Sequence, residues 1–287
     1  MKKLLLVFPL LVYFAVFPFK LHAETKVTHS IHYGPNAAQI IDVYQPDGFQ
    51  SNKFPVVLWV HGGGWRNGDM QHGKAVEIMT TWAKQGIVVV GVNYRLSPQY
   101  MHPAHVQDVA AAINWVYHNI DRFGGDPSRI SLLGHSAGAH LVALVATNPT
   151  YLNAYGLSPN KVIANVFPID TASFDLTHPS RFVSKLVREA FGTDEAVLKE
   201  ASPIWNVHSG SNYPAFIIAA TQVRNDAVET SQILQQKLRE AGGSAEFMVI
   251  NYPNLGQLMA HAKIAEDLAN PNCEMTKTLW HRILEQR

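Results

Sequence analysis

The sequence predicts an α/β protein: a mostly parallel central sheet with helices on both faces and a small helical cap. Three observations lead there. Short apolar runs alternate with helical stretches, as strands joined by crossover helices do. Two of the runs pass directly into glycine-rich turns, His61-Gly62-Gly63-Gly64-Trp65 and Gly134-His135-Ser136-Ala137-Gly138. A helical insertion over residues 170–203 interrupts the alternation after a strand.

The opening residues belong to no fold. Lys2 and Lys3 precede an apolar run, Leu4 to Phe19, broken by Pro9 and Pro18. Leu21-His22-Ala23 is a small-residue cleavage site, so residues 1–23 are expected to be a signal peptide and the chain to be exported, periplasmic or secreted. Residues 24–287 are then expected to form one domain, with no stable membrane insertion after cleavage. Lys26–Tyr33 and Gln39–Tyr44 have strand character and end in the turn cluster Tyr44 to Gly48. Phe54–Val60 (FPVVLWV) is apolar throughout, which suits a strand buried on both faces. A helix is predicted over Gln71–Gln85, a strand over Ile87–Val92 and a helix from Pro103 to about Ile120. Ile130–Leu133 is the strand before the second glycine turn, and Ala137–Ala146 the helix after it. Strands follow at Val162–Ile169, Ala215–Ala220 and Glu246–Ile250. Helices are expected at Arg181–Phe191 and Asp194–Ala201 in the insertion, then at Asp226–Ala241 and Glu274–Glu285.

With 287 residues, 47% of them hydrophobic, the chain can bury a large core. A net charge of +1 with no basic block gives no footing for nucleic acid. The single cysteine, Cys273, excludes an intrachain disulfide and a multi-cysteine metal cluster. His102, His105 and Asp108 cluster near a helix start, but a carboxylate in the first turns of a helix is favoured by the dipole alone, so no metal is expected.

Strand, tight turn and helix around Gly134-His135-Ser136-Ala137-Gly138 is the setting that exposes a serine nucleophile. The glycines remove side chains that would collide as strand and helix close up. The amide of Ala137 opens the helix and stays free of an intrahelical partner. The run Gly62-Gly63-Gly64 leaves backbone N–H groups uncovered. Gly63, Gly64 and Ala137 are therefore the expected oxyanion donors, and His61 is expected to orient the loop.

The motifs HGGGW, NYRLSP and FGGDPSRISLLGHSAGAHL resemble the α/β-hydrolase serine esterases. The nearest branches are the hormone-sensitive-lipase-like and bacterial feruloyl-esterase-like ones, with the kynurenine formamidases related. The resemblance implies an α/β-hydrolase fold over nearly the whole of residues 24–287. It implies a triad in the chain order serine, acid, histidine: Ser136, Asp226 in Asp226-Ala227-Val228, and His261. Thr221-Gln222 stand where the family often has His-Gly, and the loop expected over Asn251–Ala260 before the histidine is long. Asp170 and Asp175 are accordingly the substitute acids, and His208 the substitute base. Trp65 and Tyr94 are expected to shape the substrate pocket, with the insertion lying over Ser136 as a cap.

The activity expected from the resemblance is cofactor-free hydrolysis of small carboxylic esters, with short-acyl or aromatic acyl groups, through an acyl-enzyme. An arylformamidase or amidase using the same triad is the alternative, as is a non-catalytic α/β-hydrolase that only binds.

Overall fold

The computed structural model describes residues 25–47 and 53–285. The expected signal peptide lies outside these residues. Along the chain come β1 (Lys26–His32), β2 (Ile40–Gln45), β3 (Phe54–Val60), α1 (Lys74–Ala83) and β4 (Val88–Val92). Then follow α2 (Ala104–Asn119), β5 (Gly125–His135), α3 (Ala137–Thr147), α4 (Thr150–Asn153), α5 (Pro159–Val162) and β6 (Ile163–Ile169). The last part holds α6 (Ser184–Phe191), α7 (Glu195–Glu200), β7 (Ala215–Thr221), α8 (Asn225–Glu240), β8 (Ala245–Ile250), α9 (Gln257–Leu268) and α10 (Glu274–Leu284).

The eight strands form one sheet in the order β1-β2-β4-β3-β5-β6-β7-β8. β1–β2 and β2–β4 pair antiparallel, and every pair from β4–β3 onward is parallel. The apolar central strands follow from this topology. Side chains alternate across a strand, so a strand covered on both faces needs apolar residues at every position. In β3, Val56, Leu58 and Val60 enter one core with α2, α3 and α8, while Val57 and Trp59 enter the other with α1, α9 and α10.

Because the strands from β3 to β8 are parallel, their C-terminal ends share one edge of the sheet, the usual place for a site in such folds. Register sets the level of each residue there. His135 at the end of β5 pairs with Ile169 at the end of β6, which pairs with Ala219 in β7. Ser136 and Asp170 are thus the next residues of two adjacent strands.

Two expectations about local structure need correction. The stretch before His261 is not loop throughout: α9 begins at Gln257 with Gly256 as its cap residue and no side-chain capping bond, so no capping signal marks it in the sequence. The helix expected from Gln71 starts only at Lys74, because Gly73 at φ 54° stands before it in a non-helical conformation. In the insertion, by contrast, Asp194 caps α7 by accepting from the amides of Ala196 and Val197.

Candidate active site

Ser136 sits between β5 and α3 at φ 58°, ψ −119°, a conformation that costs a non-glycine residue of order 1–3 kcal/mol. The surroundings hold it there. Its amide donates to Ile169 O at 3.0 Å, and its carbonyl accepts from Ala172 and His140 amides at 3.2 and 3.3 Å. The turn closes only over glycine. A Cβ on Gly134 would stand 2.3 Å from Gly138 O, and one on Gly138 would stand 2.0 Å from Val60 O.

His261, in the second turn of α9, faces Asp170 rather than the expected Asp226. Its Nδ1 donates to Asp170 Oδ2 at 2.5 Å. The other carboxylate oxygen accepts from the Thr221 amide at 2.8 Å and from Thr221 Oγ1 at 3.1 Å. Asp170, a substitute acid on the sequence alone, is therefore the residue that meets the histidine. Three residues further along the β7 turn than Thr221 stands Arg224, and Asp226 falls in the first turn of α8, part-exposed, 3.8 Å from Arg224 Nη2. Among the described residues Asp226 has no hydrogen bond to His261. Asp170 reaches the histidine instead because the backbone turns sharply at the end of β6, at φ 47°. Among the described residues Asp175 has no hydrogen bond to His261 and instead binds Thr177 and Trp205, and His208 is exposed in the loop before β7.

Burial of the Asp170 carboxyl would raise its pKa, but the His261 hydrogen bond and the Arg224 charge outweigh it and hold the group at about 2. An ionised Asp170 fixes the tautomer of its partner. The proton of the short contact belongs to Nδ1 of His261, so Nε2 carries the lone pair a general base needs.

His135, the residue before the serine, carries no signal in the sequence. Its ring lies against that of His261 with centroids 4.4 Å apart, and its Nε2 donates to the His261 carbonyl at 3.1 Å. Burial, with the neighbouring His261 next, lowers its pKa to about 3, so it packs as a neutral ring. His135, Asp170 and His261 bring three ligand-type atoms within 4.8 Å of one another. The contact between His261 and Asp170 is already spent on their hydrogen bond, and His135 Nε2 is turned to the His261 carbonyl. The cluster His102, His105 and Asp108 does not converge: His102 pairs with Glu200, His105 with Ser97, and Asp108 with Arg95 and Gln39.

Gly63, Gly64, Ser136 and His261 line one cavity of about 390 Å³ with Ala172, Arg224 and the apolar side chains of Phe182, Val183, Leu186 and Leu258. Among the described residues the amides of Gly63 and Gly64 have no backbone acceptor, and the Gly63 carbonyl is turned back to Arg66 and Asn67. Gly63 has φ 109°, and a Cβ there would stand 2.0 Å from Asn67 O, so only glycine gives this loop its shape. Ala137 opens α3, where its amide has no intrahelical acceptor.

Trp65 and Tyr94 do not wall this cavity. Trp65 is fully buried, its ring edge-on to His140 and Phe191 at 5.2 and 5.0 Å. Tyr94 is 1% exposed, stacks on His61 at 4.5 Å and donates to the His61 carbonyl. His61 in turn bonds the Gly62 carbonyl at 2.7 Å. The three aromatic groups brace the glycine loop from behind. The walls come from the insertion and α9, because the positive φ of Trp65, 57°, follows a turn that carries its ring into the core.

A strained serine at the end of β5, a histidine after β8 and this strand order define an α/β-hydrolase. Solved structures share the fold. The esterase B of Lactobacillus rhamnosis superposes with a TM-score of 0.73 at 22% identity, covering 92% of this chain and 87% of that one. A truncated carbohydrate esterase from gut microbiota gives 0.73 at 20% identity, covering 92% and 99%. The chain belongs to the BD-FAE family, whose model matches residues 41–238. It is similar to the esterase LipQ of Mycobacterium tuberculosis, 33% identical over 232 residues, 76% of this chain and 54% of LipQ. It is also similar to the carboxylesterase NlhH of the same organism, 42% identical over 106 residues, 37% of this chain and 33% of NlhH. The chain spans about half the length of the first curated relatives it matches, 54% of LipQ and 48% of LipC.

Proposed function

We propose that this protein is a serine carboxylesterase that hydrolyses small esters through an acyl-enzyme. The observation that carries the proposal is one cavity joining Ser136, His261 and the Gly63–Gly64 amides, with Asp170 bonded to the far side of the histidine. Ser136 attacks the ester carbon as His261 Nε2 takes its proton. The negative charge moves to the former carbonyl oxygen, where the Gly63, Gly64 and Ala137 amides donate to it. His261 then gives the proton to the departing alkoxide, and a water repeats the sequence on the acyl group. Asp170 stabilises the imidazolium in both halves. The esterases among the relatives and structural neighbours support this class of reaction.

The cavity supports compact acyl groups. At about 390 Å³ it is near the lower end of small-ligand sites. Phe182, 59% exposed, and Leu258, 64% exposed, line it as apolar lips. The outward side of the insertion carries Arg181, Lys185, Arg188 and Glu189, a poor landing surface for a lipid interface. In a series of p-nitrophenyl acetate, butyrate and palmitate, methyl ferulate and N-formylkynurenine, the highest kcat/KM is expected on a short or aromatic ester. Highest efficiency on palmitate contradicts the compact-acyl reading. A value for N-formylkynurenine above every ester moves the assignment to formamide hydrolysis, and no turnover of any member moves it to a binding role.

Export is part of the same proposal, supported by Lys2, Lys3 and the apolar run Leu4 to Phe19. Sequencing the N-terminus of the protein from its host is expected to start near Glu24. Recovery of intact Met1 in the mature protein removes the assignment.

A further inference from the structure

Arg224 stands where chain order places the acid, in the turn after β7, and its side chain is buried at 4% exposure. Nη1 lies 3.1 Å from Asp170 O, 3.2 Å from Asp170 Oδ2 and 2.9 Å from His261 Nδ1. With Nδ1 protonated toward Asp170, that nitrogen has no lone pair to offer the arginine. The Arg224 N–H groups therefore serve the two Asp170 oxygens, and the guanidinium charge is left against the edge of the imidazole.

The other groups around His261 do not cancel this charge. From β6 comes the Asp170 carboxylate. From the end of β5 comes His135, kept neutral by burial. Asp226 of α8 reaches Arg224 at 3.8 Å and is part-exposed, which weakens it through solvent. Arg181 of the insertion is exposed and shares with Arg224 a neighbouring pocket. Tyr252, before α9, donates to Asp267, and Lys263 on α9 itself is turned to Asp267 and Glu266. The fixed charges on the ring edge are thus one carboxylate and one guanidinium.

We propose that Arg224 is a positioning residue which clamps the Asp170 carboxylate in line with His261 and, by opposing the imidazolium, extends activity to lower pH. This rests on reading Asp170 and His261 as the base pair of Ser136. A carboxylate beside an imidazole favours the charged ring, and a cation at the same range disfavours it. Arg224 offsets part of the support Asp170 gives to the positive charge that His261 takes up when it accepts the serine proton. Arg224 ties Oδ2 to the Asp170 backbone carbonyl, and with Thr221 on Oδ1 this stops the carboxylate rotating away from Nδ1.

The test is the pH profile of kcat/KM for p-nitrophenyl acetate. Arg224→Gln keeps a donor to Asp170 and removes the charge, and it is expected to move the acid limb up by about one unit. Arg224→Lys keeps the charge and is expected to hold the limb near that of the unaltered enzyme. Asp226→Asn, at a part-exposed position, strips the partial screen from Arg224 and is expected to move the limb the other way, to lower pH. That variant supplies the test should Arg224→Gln fail to fold. A lower rate with an unmoved limb in Arg224→Gln, or a limb moved up in Asp226→Asn, overturns the proposal. If Asp170→Asn is inactive while the limb stays put in Arg224→Gln, only the role of Arg224 falls. If Asp170→Asn stays active, the catalytic reading beneath it falls.

Discussion

Replacing Ser136 by alanine is expected to lower kcat for ester hydrolysis on the order of 10⁶-fold while leaving the fold intact. The size of the loss follows from the chemistry. Without Oγ there is no acyl-enzyme, and His261 has no bound nucleophile to deprotonate. What remains is binding and the glycine amides acting on adventitious water. The fold should not change, because alanine keeps the Cβ, and the strained backbone at φ 58° is held by amide and carbonyl bonds to Ile169, Ala172 and His140 rather than by the hydroxyl. A thermal melt beside the rate separates the two quantities. Retention of most of the activity in Ser136→Ala removes the serine mechanism altogether.

The second large effect is expected at Asp170. Asp170→Asn should lower kcat about 10⁴-fold, because an amide cannot accept on both sides and the imidazole is released to the wrong tautomer. Every oxygen of this carboxylate is in use: Oδ1 accepts from Thr221, and Oδ2 from His261 and Arg224. An asparagine must turn its NH₂ toward one set of donors or the other. The variant should also be less stable, since it takes from Arg224 its buried counter-charge and leaves only the part-exposed Asp226, and the rate must be read on folded protein. Asp226→Asn at neutral pH should change kcat by no more than a few-fold. A 10⁴-fold loss in Asp226→Asn with activity kept in Asp170→Asn would restore the acid to the turn after β7.

The contrast between Asp170 and Asp226 shows where the sequence stops being legible. The strands can be read because burial on two faces demands unbroken apolar runs, as in Phe54–Val60. Ser136 and Gly63–Gly64 can be read because their geometry admits few residues: a Cβ at Gly63 or Gly138 would meet a backbone oxygen at 2.0 Å. The acid lacks such a constraint. A carboxylate can approach His261 from either of two adjacent strand ends, and spacing alone does not say which. The register Ile169↔Ala219 and the turn at Asp170 decide it, and both are properties of the paired sheet. Arg224 is silent in the sequence because a single arginine in a turn reads as a surface charge, whereas here it is buried on two partners. Trp65 and Tyr94 mislead for a related reason. Nearness to the glycine loop along the chain suggests nearness to the pocket, but their rings point into the core and brace the loop. Leu258 is hidden beside His261 because no cap marks the start of α9.

The assignment of the nucleophile and its partners can be tested together by a fluorophosphonate that phosphonylates an activated serine. The unaltered protein is expected to take one adduct, mapped by peptide mass spectrometry to Ser136. Ser136→Ala is expected to take none, Asp226→Asn to react at close to the unaltered rate, and Asp170→Asn to react slower by orders of magnitude. An adduct on any other residue, or full reactivity in Asp170→Asn, contradicts the triad of Ser136, His261 and Asp170.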